Sequence, residues 1–96
     1  MMKYICFVCG YDEFPEPPYN SYGGPSYEIC SCCAFQYGLD DYDYEDKKTA
    51  FAEWRKNWIK QGYPWLLSST KPPHNWNPSK QLENIKLIPS EIINKL

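Results

Sequence analysis

The chain has 96 residues, five cysteines and a formal net charge of −2, with a pI near 5.3. A domain this short buries a smaller share of its surface than a larger one and gains from a staple such as a bound metal. The acidic balance argues against a nucleic-acid module, which presents a basic face, and no run approaches the roughly 18 apolar residues of a membrane span.

Residues 3–9 (Lys3-Tyr4-Ile5-Cys6-Phe7-Val8-Cys9) read as a short strand entering a metal knuckle, since Tyr4, Ile5, Phe7 and Val8 favour extended backbone. Gly10 follows the second cysteine and takes the positive φ such a turn needs. Residues 12–26 read as loop, because Pro15, Pro17, Pro18, Gly23, Gly24 and Pro25 forbid a regular helix. Tyr11, Phe14, Tyr19 and Tyr22 punctuate that region and are expected to pack over the knuckle.

Tyr27-Glu28-Ile29-Cys30 is the second short strand, running into Cys30-Ser31-Cys32-Cys33. Ala34 stands after the last cysteine, where glycine would ease a left-handed conformation, so this turn is expected to close differently from the first.

An amphipathic helix is predicted over about 43–61. Tyr44, Phe51, Trp54 and Trp58 fall on one face at 3.6 residues per turn. Asp43 is its candidate N-cap and Gly62 its candidate C-cap, with Pro64 beyond. A polar link from Ser68 to Asn77 leads to a short helix near 78–86, opened by Asn77-Pro78. Pro89 starts a last helical segment with Ile88, Ile92, Ile93 and Leu96 at helical spacing.

The two C-x-x-C pairs, Cys6/Cys9 and Cys30/Cys33, are separated by 20 residues. That pattern suits one tetrahedral site of four thiolates, with zinc as the expected ion and iron as the alternative. Cys30 pairs with Cys33 rather than Cys32, because a knuckle needs two intervening residues. An odd cysteine count with no apolar leader segment before Cys6 points to the cytoplasm, with four ligands and a spare thiol in Cys32. Cys32 reads as a small buried filler, and His74, the only histidine, as a residue of the proline-rich link rather than a ligand. The acidic run Asp40-Asp41-Tyr42-Asp43 lacks calcium-loop spacing and reads as the approach to the helix.

The stretch Tyr4-Ile5-Cys6-Phe7-Val8-Cys9-Gly10-Tyr11 resembles the first knuckle of rubredoxins. A longer resemblance runs through Cys6-x-x-Cys9-Gly10-Tyr11, Gly24-Pro25-Ser26-Tyr27-Glu28-Ile29-Cys30-x-x-Cys33 and the helix bearing Trp54-Arg55-Lys56-Asn57-Trp58. Over about residues 4–62 the chain is similar to the bacterial cysteine-rich CPCC family. Phe7 stands in place of that family's proline, the extra cysteine lies in the second turn, and residues 63–96 carry no family motif. The resemblance implies a small metal-binding domain and no particular reaction.

Together these features predict a single small α+β domain. Two rubredoxin-like zinc knuckles with short strands (1–40) pack on the amphipathic helix (41–62), followed by a C-terminal helical extension (63–96). The expected role is a structural zinc module that binds another protein as an adaptor, with no nucleic acid and no membrane partner; the alternative is a rubredoxin-like iron electron carrier. No catalytic constellation stands out, and four thiolates leave a tetrahedral metal no open position for a reacting water, so an enzyme is not expected.

Overall fold

A computed structural model describes residues 3–94. The expected strands shrink to isolated pairings, Tyr4 with Phe14, Tyr19 with Pro25 and Ile29 with Gln36, all antiparallel. Among the described residues the fold is a few helices, these isolated bridges and irregular loops around a cysteine cluster. The reason lies in the chain itself. Each extended arm meets a cysteine turn almost at once, and Pro15, Pro17, Pro18 and Pro25 withhold the amides that would continue a ladder.

Helix α1 spans Lys47–Lys60 rather than 43–61, and its N-cap is Asp46, not Asp43. The Asp46 carboxylate accepts from the Lys48 amide at 3.0 Å. The residues before it are committed elsewhere: buried Asp41 turns inward and accepts from the Gly38 amide at 2.9 Å. Its other oxygen lies 4.0 Å from the Lys47 ammonium. Gly62 ends the helix as expected, at φ 93°. Its amide bonds the Ile59 carbonyl at 3.0 Å and the Tyr63 amide the Trp58 carbonyl at 3.1 Å, the pair of bonds that closes a helix on a left-handed residue.

Ala50, Phe51 and Trp58 form the buried face of α1. Tyr44, expected on that stripe, precedes the helix and bonds Glu53 at 2.6 Å from the exposed side. The predicted helix near 78–86 is a turn of α-helix, α2 (Pro78–Gln81), running into a 3-10 helix (Leu82–Leu87). Asn77 caps it by accepting from the Lys80 amide at 3.2 Å. Helix α3 (Ser90–Asn94) follows Pro89; Ile88 and Ile93 rest against the core, and Leu96 lies outside the described residues. No described helix is long and apolar enough to cross a membrane.

The core is aromatic. Phe7, Phe14, Tyr19, Phe35, Tyr37, Phe51 and Trp58 are buried with all five cysteines. Rings meet mostly edge to face, as their quadrupoles favour; Phe35 and Tyr37 lie 4.9 Å apart and Phe14 and Tyr37 5.4 Å. Of the loop rings expected over the knuckle, Phe14 and Tyr19 are buried and Tyr11 leans on Trp65 at 5.5 Å. Tyr22, by contrast, is 96% exposed.

Candidate metal centre

Both cysteine turns close by the same two backbone bonds. In the first, the Cys6 amide donates to the Tyr11 carbonyl at 2.8 Å and the Gly10 amide to the Cys6 carbonyl at 3.0 Å. In the second, the Cys30 amide donates to the Phe35 carbonyl at 2.9 Å and the Ala34 amide to the Cys30 carbonyl at 2.8 Å. The expectation of a different second turn is therefore corrected. Ala34 takes φ 64° where Gly10 takes 83°. A non-glycine residue there costs about 1–2 kcal/mol, which the closing bonds and the burial of Cys30 and Cys33 offset. Gly10 answers to a second constraint, since a Cβ at that position would collide with the Gln81 carbonyl oxygen.

The turns bring Cys6, Cys9, Cys30 and Cys33 together, with all four sulfurs within 4.8 Å of one another and all four residues buried. Cys6 Sγ lies 3.8 Å from Cys33 Sγ, and Cys9 Sγ 3.7 Å from Cys30 Sγ. A tetrahedron with metal–sulfur bonds of about 2.3 Å has edges of about 3.8 Å. The spacing and the donor set both fit a tetrathiolate metal site. Cys32 is fully buried but outside the set; its sulfur accepts from Gln81 Nε2 at 3.4 Å. His74 is exposed in the link after Ser68 and is not among these residues.

The electrostatics show why such a cluster calls for a cation. Burial pushes the Cys9 and Cys33 thiols well above their ordinary value, and the hydrogen bonds from neighbouring cysteines add to this at Cys9. Burial acts the same way on Cys6. There the bonds from Cys30, Cys33, Cys9 and Tyr37 outweigh it and hold the thiol well below the usual range. Without a metal the cluster therefore favours a shared, partly protonated state. Four thiolates together require a positive ion, and its binding releases protons.

Tyr37 is the group nearest the sulfurs that sequence reasoning missed. It is wholly buried, and its hydroxyl lies 2.9 Å from Cys6 Sγ while accepting from the Phe7 amide at 2.8 Å. Burial, followed by the charge on Cys6, pushes the phenol well above its usual pKa, so it stays protonated. The sequence carried little signal for it, because Ala34 at φ 64° breaks any strand alternation between Cys33 and Tyr37.

The outward carbonyls of both turns are bonded by the later part of the chain. In the first turn, Arg55 Nη2 and Nε donate to Phe7 and Val8 at 2.8 and 2.6 Å. Gln81 Nε2 donates to Cys9 at 3.0 Å and Asn84 Nδ2 to Gly10 at 3.0 Å. In the second, the amides of Leu67 and Leu66 donate to Ser31 and Cys32 at 3.2 and 2.9 Å, and Trp54 Nε1 to Cys33 at 2.8 Å. Arg55 also brings a half-buried positive charge beside a cluster that would carry excess negative charge when metal-bound; burial lowers its pKa and the nearby Cys6 raises it, but a guanidinium remains charged. Sequence reasoning assigned no site role to Arg55, Gln81 or Asn84.

No protein-family model matches the chain, and no curated protein or solved structure is significantly similar to it.

Proposed function

We propose that this chain is a zinc-binding module in which the ion is structural and the folded surface serves to bind another protein. The observation that carries the reading is the buried set Cys6, Cys9, Cys30 and Cys33 at tetrahedral sulfur spacing. Four thiolates fill a tetrahedral ion's coordination and leave no place for a reacting water. A closed site of this kind supplies folding energy, on the order of 10–16 kcal/mol of apparent binding at pH 7.

The chain's use as an adaptor is supported by an apolar patch on its exterior. Tyr22, Leu87 and Ile92 stay exposed around a cleft of about 670 Å³ lined also by Ile5, Pro18 and Ile88. The likeness to the CPCC family over residues 4–62 agrees with the metal role and names no reaction. The cysteine chemistry suits a reducing compartment, the cytoplasm.

Elemental analysis of the full chain, purified under reducing conditions without added metal, tests this. One zinc per chain and a colourless protein is the expected result. A red protein with one iron and a reversible one-electron couple would turn the reading to an electron carrier, and a folded metal-free protein would end it.

A further inference from the structure

The phenol of Tyr37 stands between two partners of opposite demand. The Phe7 amide can only donate, so it occupies an acceptor lone pair of the hydroxyl. The Tyr37 proton is left free to point at the other neighbour, Cys6 Sγ at 2.9 Å. A metal-bound thiolate has no proton to give, so there the phenol is the donor. The amide matters to this arrangement: a proline at position 7 would leave the hydroxyl without the contact that orients it.

We infer that Tyr37 is a positioning residue of the metal site. By donating to Cys6 it draws electron density from one ligand and makes the four sulfurs unequal. The inference rests on the metal reading above. The ring is held for this task by edge contacts to Phe14 at 5.4 Å, Phe35 at 4.9 Å and Tyr19 at 5.6 Å. Those contacts leave the hydroxyl little freedom to turn elsewhere, and the site is closed to water that could substitute for it. Groups hydrogen-bonded to ligands orient them and tune their basicity, and losing one typically costs about 10–100-fold in metal affinity. With Tyr37 in place, Cys6 is less able to attack an electrophile or to accept a proton and leave the ion than it would be without that bond.

Cobalt(II) reports on the sulfurs directly through its thiolate charge-transfer bands. The full chain is loaded with cobalt as wild type and as Tyr37→Phe, which keeps the ring and removes the donor. The expected result is a shift of those bands to lower energy in the variant. With zinc, transfer to a chelator is expected to reflect an affinity about 10–100-fold weaker. A second protein, carrying 3,5-difluorotyrosine at position 37 only, retains both bonds with a stronger donor, and its bands are expected to move the opposite way. This arm decides the matter even if Tyr37→Phe fails to fold. Cobalt bands that neither change moves would overturn the inference while leaving the metal reading standing. A wild-type chain that takes up no cobalt would overturn both.

Discussion

Arg55 Nε holds the carbonyl oxygen of Val8 at 2.6 Å across 47 residues of chain. Its Nη2 reaches the neighbouring Phe7 carbonyl, so one guanidinium fork fastens two successive peptide units of the first cysteine turn to helix α1. Hydrogen bonds from a charged donor contribute about 1.5–3 kcal/mol, and a lysine at this position cannot reproduce the fork. Arg55→Lys is expected to lose one of the two bonds, and Arg55→Met both. Urea unfolding of the metal-loaded protein should show midpoints falling in the order wild type, Lys, Met. Equal midpoints would mean that water satisfies those carbonyls as well as arginine does.

The choice of Cys30 over Cys32 as a ligand is open to direct test. Cys30 Sγ is 3.7 Å from Cys9 Sγ within the four-sulfur group, while Cys32 lies outside that group and bonds Gln81. Cys30→Ser is expected to lose stoichiometric metal and most of the associated folding energy, of order 10 kcal/mol. Cys32→Ser is expected to keep one ion per chain and to cost no more than about 1–2 kcal/mol. Metal content after gel filtration separates the two; metal lost from Cys32→Ser and kept in Cys30→Ser would reverse the assignment.

The two turn-closing residues should respond oppositely to exchange. Ala34 sits at φ 64° and Gly10 at φ 83°. Ala34→Gly relieves the left-handed conformation and is expected to raise stability by about 1 kcal/mol. Gly10→Ala adds that strain and also drives a methyl into the Gln81 carbonyl, so it is expected to destabilise by more than Ala34→Gly gains. Thermal midpoints of the two variants give the comparison.

The metal-free and metal-loaded chains are expected to differ in their response to alkaline pH, while the depressed Cys6 thiol costs the metal-free fold stability on the acid side as well. In the metal-free fold, burial raises Cys9 and Cys33 above their unfolded values. Their contribution is full below the unfolded thiol pKa of about 8.5 and is lost as pH rises through the higher folded values. The unfolded chain then binds fewer protons than the folded one, so stability falls on the alkaline side. Metal coordination depresses all the ligand thiols instead, and that stabilisation is lost as the pH drops through the depressed values. Melting curves with and without zinc should diverge above about pH 8.5, where only the metal-free chain loses stability through Cys9 and Cys33; parallel curves there would count against a thiolate-bound ion.

The cysteine set was legible because its chemistry is local. Two residues must intervene between paired thiols, and Cys6/Cys9 and Cys30/Cys33 state that spacing in the sequence itself. The face of α1 was legible for the same reason, through the spacing of Phe51, Trp54 and Trp58. What stayed hidden depends on partners distant in the chain. Asp41 is drawn to the Gly38 amide and Lys47, which delays the helix to Lys47. Ala34 accepts a left-handed backbone because the second turn is pinned on both sides. Gln81 and Asn84 have no distinguishing neighbours in sequence, and only the fold brings them 72 and 74 residues back to Cys9 and Gly10.

That last relationship gives residues 63–96 a task. Leu66, Leu67, Gln81 and Asn84 bond the carbonyls of Cys32, Ser31, Cys9 and Gly10 respectively. Trp65, Trp76, Leu82 and Ile88 pack against the same core. A chain ending at residue 62 keeps all four clustered cysteines, so on the proposed reading it is expected to bind zinc. It exposes the outer side of both turns, however, and loses the apolar cover, at about 25 cal/mol for each Å² returned to water. Each thiolate then becomes easier for water and competing ligands to reach. The shortened chain is expected to hand its zinc to a chelator much faster than the whole chain does, and to show earlier amide exchange in both cysteine turns. Equal transfer rates would mean that the cage is self-sufficient and that the extension serves something other than the metal.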